Sequence, residues 1–259
     1  MKNVHLKVDF HEGGFFSNFN KVTTFLKNTK DRVVQITWNL QGQPYGAFAF
    51  NCGEVFGKLF QSYNTGDSID EEHILSVYDD TSYTGKEVHD KYSQSDWRYD
   101  FNKTLKYFIP QHDLDQLQQK IKLTFPFNNP NINMIGILKR NELLKCEQIG
   151  NRMPSLDDYF KAIDPIFDDR TYLFLSIDNI NDLNSFIRRY KRCVYNTKMR
   201  RTAYPTDQEP HFTPGTKEDA MYTFLEVYSL SLCSKFIHPL SNMSTATLYF
   251  NPKIKSIYI

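Results

Sequence analysis

In the C-terminal half of the chain, short apolar runs alternate with amphipathic stretches, and this alternation constrains the fold more than any other feature. Met134 to Leu138 (MIGIL) reads as a strand, Ser155 opens a helix, and Tyr172 to Ile177 is a second, continuous apolar strand. Strands apolar on both faces and separated by helices pair in parallel, with the helices packed on the sheet. Ser155 takes the N-cap position and Asp158, three residues on, completes a capping-box pattern. Leu156, Tyr159, Phe160, Ile163, Ile166 and Phe167 recur at threes and fours, so that helix has one apolar stripe, and Pro165 bends or ends its last turn. Leu183, Phe186, Ile187 and Tyr190 mark a second helix, and Cys193 to Tyr195 a third strand. A helix over 218–232 begins with acids suited to the positive end of a helix dipole, and Lys235 to His238 returns as a strand. Ser241, Asn242, Met243, Ser244 and Thr245 follow, then the apolar run ATLYF, so a strand hands over directly to a helix. Such a handover directs main-chain N–H groups and hydroxyls at one spot, a recipe for holding phosphate.

The N-terminal half repeats the theme less clearly. Val4 to Phe10 reads as a strand, Gly13 and Gly14 as a turn, and Phe15, Phe16, Phe19, Val22, Phe25 and Leu26 as one face of a helix. Val33 to Leu40 is a second strand and Asn51 to Tyr63 a second helix. Asp100 to Phe108 and Leu114 to Ile121 read as helices, while Thr65 to Trp97, polar and rich in Asp, Ser and Tyr, contains a long loop. Between Phe125 and Asn133 the run FPFNNPNIN interrupts both periods, which places a linker at 126–133 between halves 1–125 and 134–259.

Composition excludes several classes. With 31 basic and 30 acidic side chains the formal charge is +1, so no field draws the chain to nucleic acid, and any anion site must be local. No apolar run approaches the ~20 residues of a membrane span, and the start MKNVHLKVDF has no secretory pattern. A cytoplasmic setting is expected, bacterial or viral in a host cytosol. Cys52, Cys146, Cys193 and Cys233 match neither a zinc spacing nor a disulfide framework, and the histidines have no metal-ligand spacing. Neither a metal nor a cofactor is expected.

The remaining chemistry is basic. Arg140 follows the MIGIL strand, and Arg200 and Arg201 lie in the loop after the third strand, so all three fall at strand C-terminal ends. In open α/β sheets that edge binds ligands, and an Arg fork matches a pair of phosphate oxygens. The Gly13-Gly14 turn offers a further point where a ligand can approach the backbone, without a full dinucleotide fingerprint. The acidic pairs Glu71-Glu72 and Asp79-Asp80 read as solvated charges.

Three segments carry a family resemblance. VVQITWNLQ with CGEVFGKLFQSY, YLFLSIDN, and KEDAMYTFLEVYSLSLCSKFIHPLSNMSTATLYF together resemble the fucosyltransferase-like glycosyltransferases, the nodulation, α-1,6 and protein O-fucosyltransferase group. The resemblance implies a GT-B-like α/β fold, with two Rossmann-like domains of mostly parallel sheets facing a cleft. The first domain would be the acceptor side and the second would bind the nucleotide-sugar donor. It implies inverting, metal-independent transfer of fucose or another sugar from a nucleotide diphosphate, GDP-linked in preference to UDP-linked, to a glycan acceptor. Arg140 falls on the arginine of the family's His-x-Arg motif, with Leu138 in place of the histidine, and Asp178 falls on its strand-end acid. On this reading Arg140 and Glu147 are catalytic, with Asp9 and Glu12 as other candidate bases. The donor is held by Gly13, Gly14, Asp178, Arg200, Arg201, Ser241, Ser244 and Thr245. The alternatives are a catalytically silent relative that binds a nucleotide or glycan, and a Rossmann-like methyltransferase.

Overall fold

A computed structural model describes residues 1–9, 15–39, 63–75, 95–107, 111–140, 153–199, 201 and 217–259. In the first half, β1 (Asn3–Asp9), α1 (Phe15–Asn28), β2 (Arg32–Asn39) and β3 (Glu71–Leu75) are followed by α2 (Ser95–Asn102) and α3 (Gln111–Thr124). The strands form a sheet of order β2-β1-β3, parallel in both pairings. The second half runs β4 (Asn133–Lys139), α4 (Leu156–Ile163), β5 (Thr171–Ile177), α5 (Ile180–Arg189), β6 (Cys193–Val194), α6 (Lys217–Ser231), β7 (Lys235–His238), α7 (Asn242–Phe250) and β8 (Lys255–Tyr258). Its five strands lie in the order β6-β5-β4-β7-β8, again parallel throughout.

Local chemistry accounts for the second half as the sequence implies. β4 and β5 are buried along almost their whole length, which is why they read as unbroken apolar runs. Ser155 and Asp158 form the capping box of α4, and α4 ends at Ile163, with Pro165 inside a following 3-10 turn. Asn179 caps α5 by accepting from the N–H groups of Asn181 and Asp182. The third strand is shorter than expected, with only Cys193 and Val194 paired to β5.

Two segments carry more structure than the sequence reading describes. Within the polar stretch 65–97 lies β3, and α2 begins at Ser95. Glu71 and Glu72 of β3 make exposed ion pairs to Lys2 (2.6 Å) and Lys7 (2.8 Å). A strand whose exposed residues are matched in charge across the ladder carries no strong hydropathy signal. The linker 126–133 is the other segment. Its 3-10 turn Pro126–Asn128 is flanked by Phe125 and Phe127, whose rings lie 5.2 and 5.9 Å from that of Phe174 on β5. The predicted helix over 51–63 lies outside the described residues.

The two halves share one hydrophobic cluster, in which Leu6, Phe19 and Phe101 of the first meet Phe224, Leu248 and Tyr249 of the second. Helix α7 makes the joint. Phe101 stacks on Tyr249 with centroids 4.2 Å apart and planes 1° from parallel, and Phe19 stacks on Phe250 at 5.7 Å. Asn102 donates to the Tyr249 carbonyl (2.7 Å) and the buried Arg98 to that of Ile254 (2.9 Å). A separate cluster, with Ile135, Ile137, Tyr159, Leu173 and Phe186, fills the space between the second sheet and helices α4 and α5. Gly136 lets α6 press against β4, since a Cβ there would lie 2.9 Å from Leu230 Cδ2 and 3.1 Å from Cys233 Sγ.

A shared cluster implies shared unfolding. Phe101→Ala is expected to cost about 3–5 kcal/mol, the range for removing a fully buried Phe side chain. Both tryptophans, Trp38 and Trp97, lie in the first half. Their fluorescence and the far-UV circular dichroism of the whole chain should therefore report one coincident urea transition in the wild type. Separate transitions would show that the halves unfold independently.

Candidate functional site

Parallel pairing gathers the C-terminal ends of β6, β5, β4 and β7 along one edge. Asp178 follows β5, Arg140 follows β4, and Ser241 stands between β7 and α7. The Arg140 side chain is 12% exposed, with Nε 3.4 Å from Asp178 Oδ2 and Nη1 3.5 Å from Oδ1. Nη1 also donates to the Met243 thioether in the first turn of α7. The expected meeting of Arg140 with the strand-to-helix turn is thus present. Arg140 is held loosely, for its Nε is buried and completes no hydrogen bond.

Arg201 is placed differently from its sequence reading. Its fork turns inward, with Nη1 donating to the carbonyls of Asn196 (2.8 Å) and Met199 (2.9 Å) and Nη2 to Glu226 Oε1 (3.0 Å). With the Arg201 and Glu226 side chains only 5% and 3% exposed, this guanidinium is committed inside the protein. Glu226, on α6, also accepts from Ser176 of β5 at 2.7 Å. Burial pushes the Glu226 carboxyl up to about 7, against the opposing pull of Arg201 and Ser176. The sequence reading missed Glu226, although one signal marks it: it is the sole charged residue between Ala220 and Ser234.

The hydroxyl-rich turn is also more self-contained than expected. Ser241 is the N-cap of α7, and its hydroxyl accepts from the Ser244 N–H at 3.1 Å. The Ser244 hydroxyl accepts from the Ser241 N–H (2.9 Å) and donates to the Ser241 carbonyl (2.8 Å). Thr245 donates to the same carbonyl at 3.0 Å. All three side chains are buried, and each makes a hydrogen bond within this turn. The box leaves the N–H groups of Asn242 and Met243 as the first-turn donors it does not engage.

On the opposite face of β4, Lys139 is buried and pairs with Asp182 of α5 at 2.9 Å. Leu138 is fully buried in the core, and its carbonyl accepts from the Tyr159 hydroxyl at 2.7 Å. His238 is buried between Pro239 O (3.0 Å) and the Ser256 hydroxyl (2.9 Å), and burial pulls it down to about 4, so it is neutral. Asp9 ends β1 at the corresponding edge of the first sheet. Glu12, Gly13, Gly14, Glu147 and Arg200 lie outside the described residues, as do Asp79 and Asp80. Among the described residues no His, Cys, Asp or Glu side chains gather in a metal-ligand group, and no helix is long and apolar enough to cross a membrane.

The sequence matches no protein-family model and no curated protein. Solved structures do match. The fucosyltransferase NodZ from Bradyrhizobium superposes with a TM-score of 0.52 at 11% identity, over 97% of this chain and 95% of that one. The NodZ α-1,6-fucosyltransferase co-crystallized with GDP gives a TM-score of 0.50 at 12% identity, over 97% and 94% of the two chains. At such identity the likeness is one of fold. The chain has a GT-B-like α/β fold with two parallel sheets, as its resemblance to the fucosyltransferase-like group implies.

Two predictions follow from the buried groups. Ser241→Ala should cost about 1 kcal/mol through loss of the cap, read as a lowered urea midpoint. Because the Glu226 carboxyl titrates from 4.5 when unfolded to about 7 when folded, the unfolded chain releases this proton first as pH rises. Wild-type stability should therefore fall relative to Glu226→Gln between about pH 4.5 and pH 7 and run parallel outside that window. Urea titrations across this range measure the difference.

Proposed function

We propose that the chain is a glycosyltransferase that takes a nucleotide sugar, GDP-linked in preference to UDP-linked, and transfers fucose or another sugar to a glycan acceptor. The observation that carries this reading is the meeting of Arg140 with the first turn of α7 at the C-terminal edge of a parallel sheet. The fold in which they meet is shared with a fucosyltransferase co-crystallized with GDP. The diphosphate would lie between the Arg140 fork and the N–H groups of Asn242 and Met243. There the positive end of the α7 dipole and the guanidinium both favour negative charge.

This arrangement favours departure of the nucleotide. Charge accumulates on the diphosphate as the bond to the sugar breaks, and preoriented donors stabilise it without reorganisation. Asp178 keeps Arg140 close to the edge through contacts of 3.4 and 3.5 Å, long enough for the fork to turn from carboxylate to phosphate. Inverting displacement in one step needs a base beside the acceptor hydroxyl. Asp9, at the edge of the first sheet, is the candidate among the described residues, with Glu12 and Glu147 as the others named from sequence. Leu138 offers no polar edge to a nucleobase, so base preference rests on other side chains.

A panel of GDP- and UDP-sugars, assayed for release of free nucleoside diphosphate with glycan acceptors present, tests the proposal. Arg140→Ala should lower kcat/KM by about 2–4 kcal/mol of transition-state stabilisation, the scale of a lost oxyanion donor. Arg140→Lys should recover part of it, since a point charge cannot reproduce the fork. Nucleotide binding without turnover on any pair would favour a silent binding relative, and absence of both would overturn the proposal.

A further inference from the structure

Asn20, on α1, crosses from the first half to the first turn of α7. Its Nδ2 donates both to the Asn242 carbonyl (3.1 Å) and to Asn242 Oδ1 (3.0 Å), and the residue is 5% exposed. A main-chain carbonyl can only accept, so the nitrogen of the amide must face α7. The other end, Asn20 Oδ1, is buried and has no hydrogen-bond partner. A buried acceptor with no donor costs stability and offsets what the two bonds to Asn242 return. The place of the amide here therefore rests on its contact with Asn242.

What it holds is specific. Asn242 is the first residue of α7, between the N-cap Ser241 and Met243, which receives Arg140. The α1 backbone behind it is stiffened, since the hydroxyls of Thr23 (2.8 Å) and Thr24 (2.7 Å) both donate to the Asn20 carbonyl. The preceding residue, Phe19, stacks on Phe250, so consecutive residues of α1 grip α7 at its first and last positions. We propose that Asn20 is a positioning residue: it clamps the first turn of α7 from the first half and thereby sets the direction of the N–H groups and of Arg140 toward a bound diphosphate. This rests on the reading of that edge as a nucleotide site, and it couples the two halves at the point where the nucleotide would bind.

The test is Asn20→Leu, measured by thermal unfolding, by calorimetry with GDP and with guanosine, and by hydrogen exchange. GDP affinity should drop about tenfold whatever the change in melting temperature, within the range for residues that act through a neighbour. Guanosine affinity should stay unchanged, and exchange at Asn242 to Thr245 should quicken. Adding Asn242→Ala to Asn20→Leu should lower GDP affinity no further, since both would act through one contact. A lowered melting temperature with unchanged GDP affinity would make Asn20 a structural residue and overturn the proposal. Wild-type protein that binds no GDP would refute the nucleotide reading. The exchange arm would then still decide the clamp, which fails if Asn242 to Thr245 exchange equally in both proteins. Should Asn20→Leu not fold, Asn20→Ala takes its place, with faster exchange confined to that turn as the supporting result.

Discussion

Parallel pairing of β4 with β5 on one side and β7 on the other is the constraint on which the rest depends. It places the ends of strands that are far apart in the chain side by side, so that Arg140, Asp178 and Ser241 become neighbours. It also buries both faces of the central strands, which requires a helix on each side and fixes where α4, α5 and α6 can lie. Gly136 is part of the same constraint, because it allows α6 close enough to β4 to deliver Glu226 to Ser176.

Charge at this edge is arranged in alternation. Arg201 meets Glu226, Asp178 acts on Glu226 through its charge, and Arg140 meets Asp178. Buried ion pairs of this kind add little net stability, since removing each charge from water consumes most of what the pairing returns. Their effect is to fix orientation: Arg201 ties the carbonyls of Asn196 and Met199 to Glu226 of α6, and Arg140 is kept at the rim. The two arginines differ despite similar sequence settings: Arg201 spends both terminal nitrogens on three partners inside the protein, whereas Arg140 stays at the rim with longer contacts to Asp178, and the Nε of each completes no hydrogen bond.

Helix α7 joins the two halves into one body. Its C-terminal aromatics pack on Phe19 and Phe101, while its N-terminal turn belongs to the edge. A helix of nine residues is thus fixed at one end by ring stacking and at the other by a capping box and Asn20. A helix so short is marginal alone, and tertiary contacts define where it points.

The sequence alone determined the elements whose signal is local. Hydropathy period fixed β4, β5, α4 and α5, the Ser155 and Asp158 box was legible residue by residue, and strand order implied parallel sheets. The approach of Arg140 to the turn after Ser241 was also legible from chain position at strand ends, while Asp178 entered through the family resemblance. Only tertiary structure decided what each polar group does there. No pattern in the segment shows that Arg201 turns inward to Glu226, that the hydroxyls of Ser241, Ser244 and Thr245 are spent on one another, or that Asn20 reaches α7. Nor did hydropathy reveal β3, whose exposed Glu71 and Glu72 pair with Lys2 and with Lys7 of β1. The physical reason is common to all four. Periodicity records which side of an element is dry, whereas the partner of a hydrogen bond or charge depends on distances between segments remote in the chain.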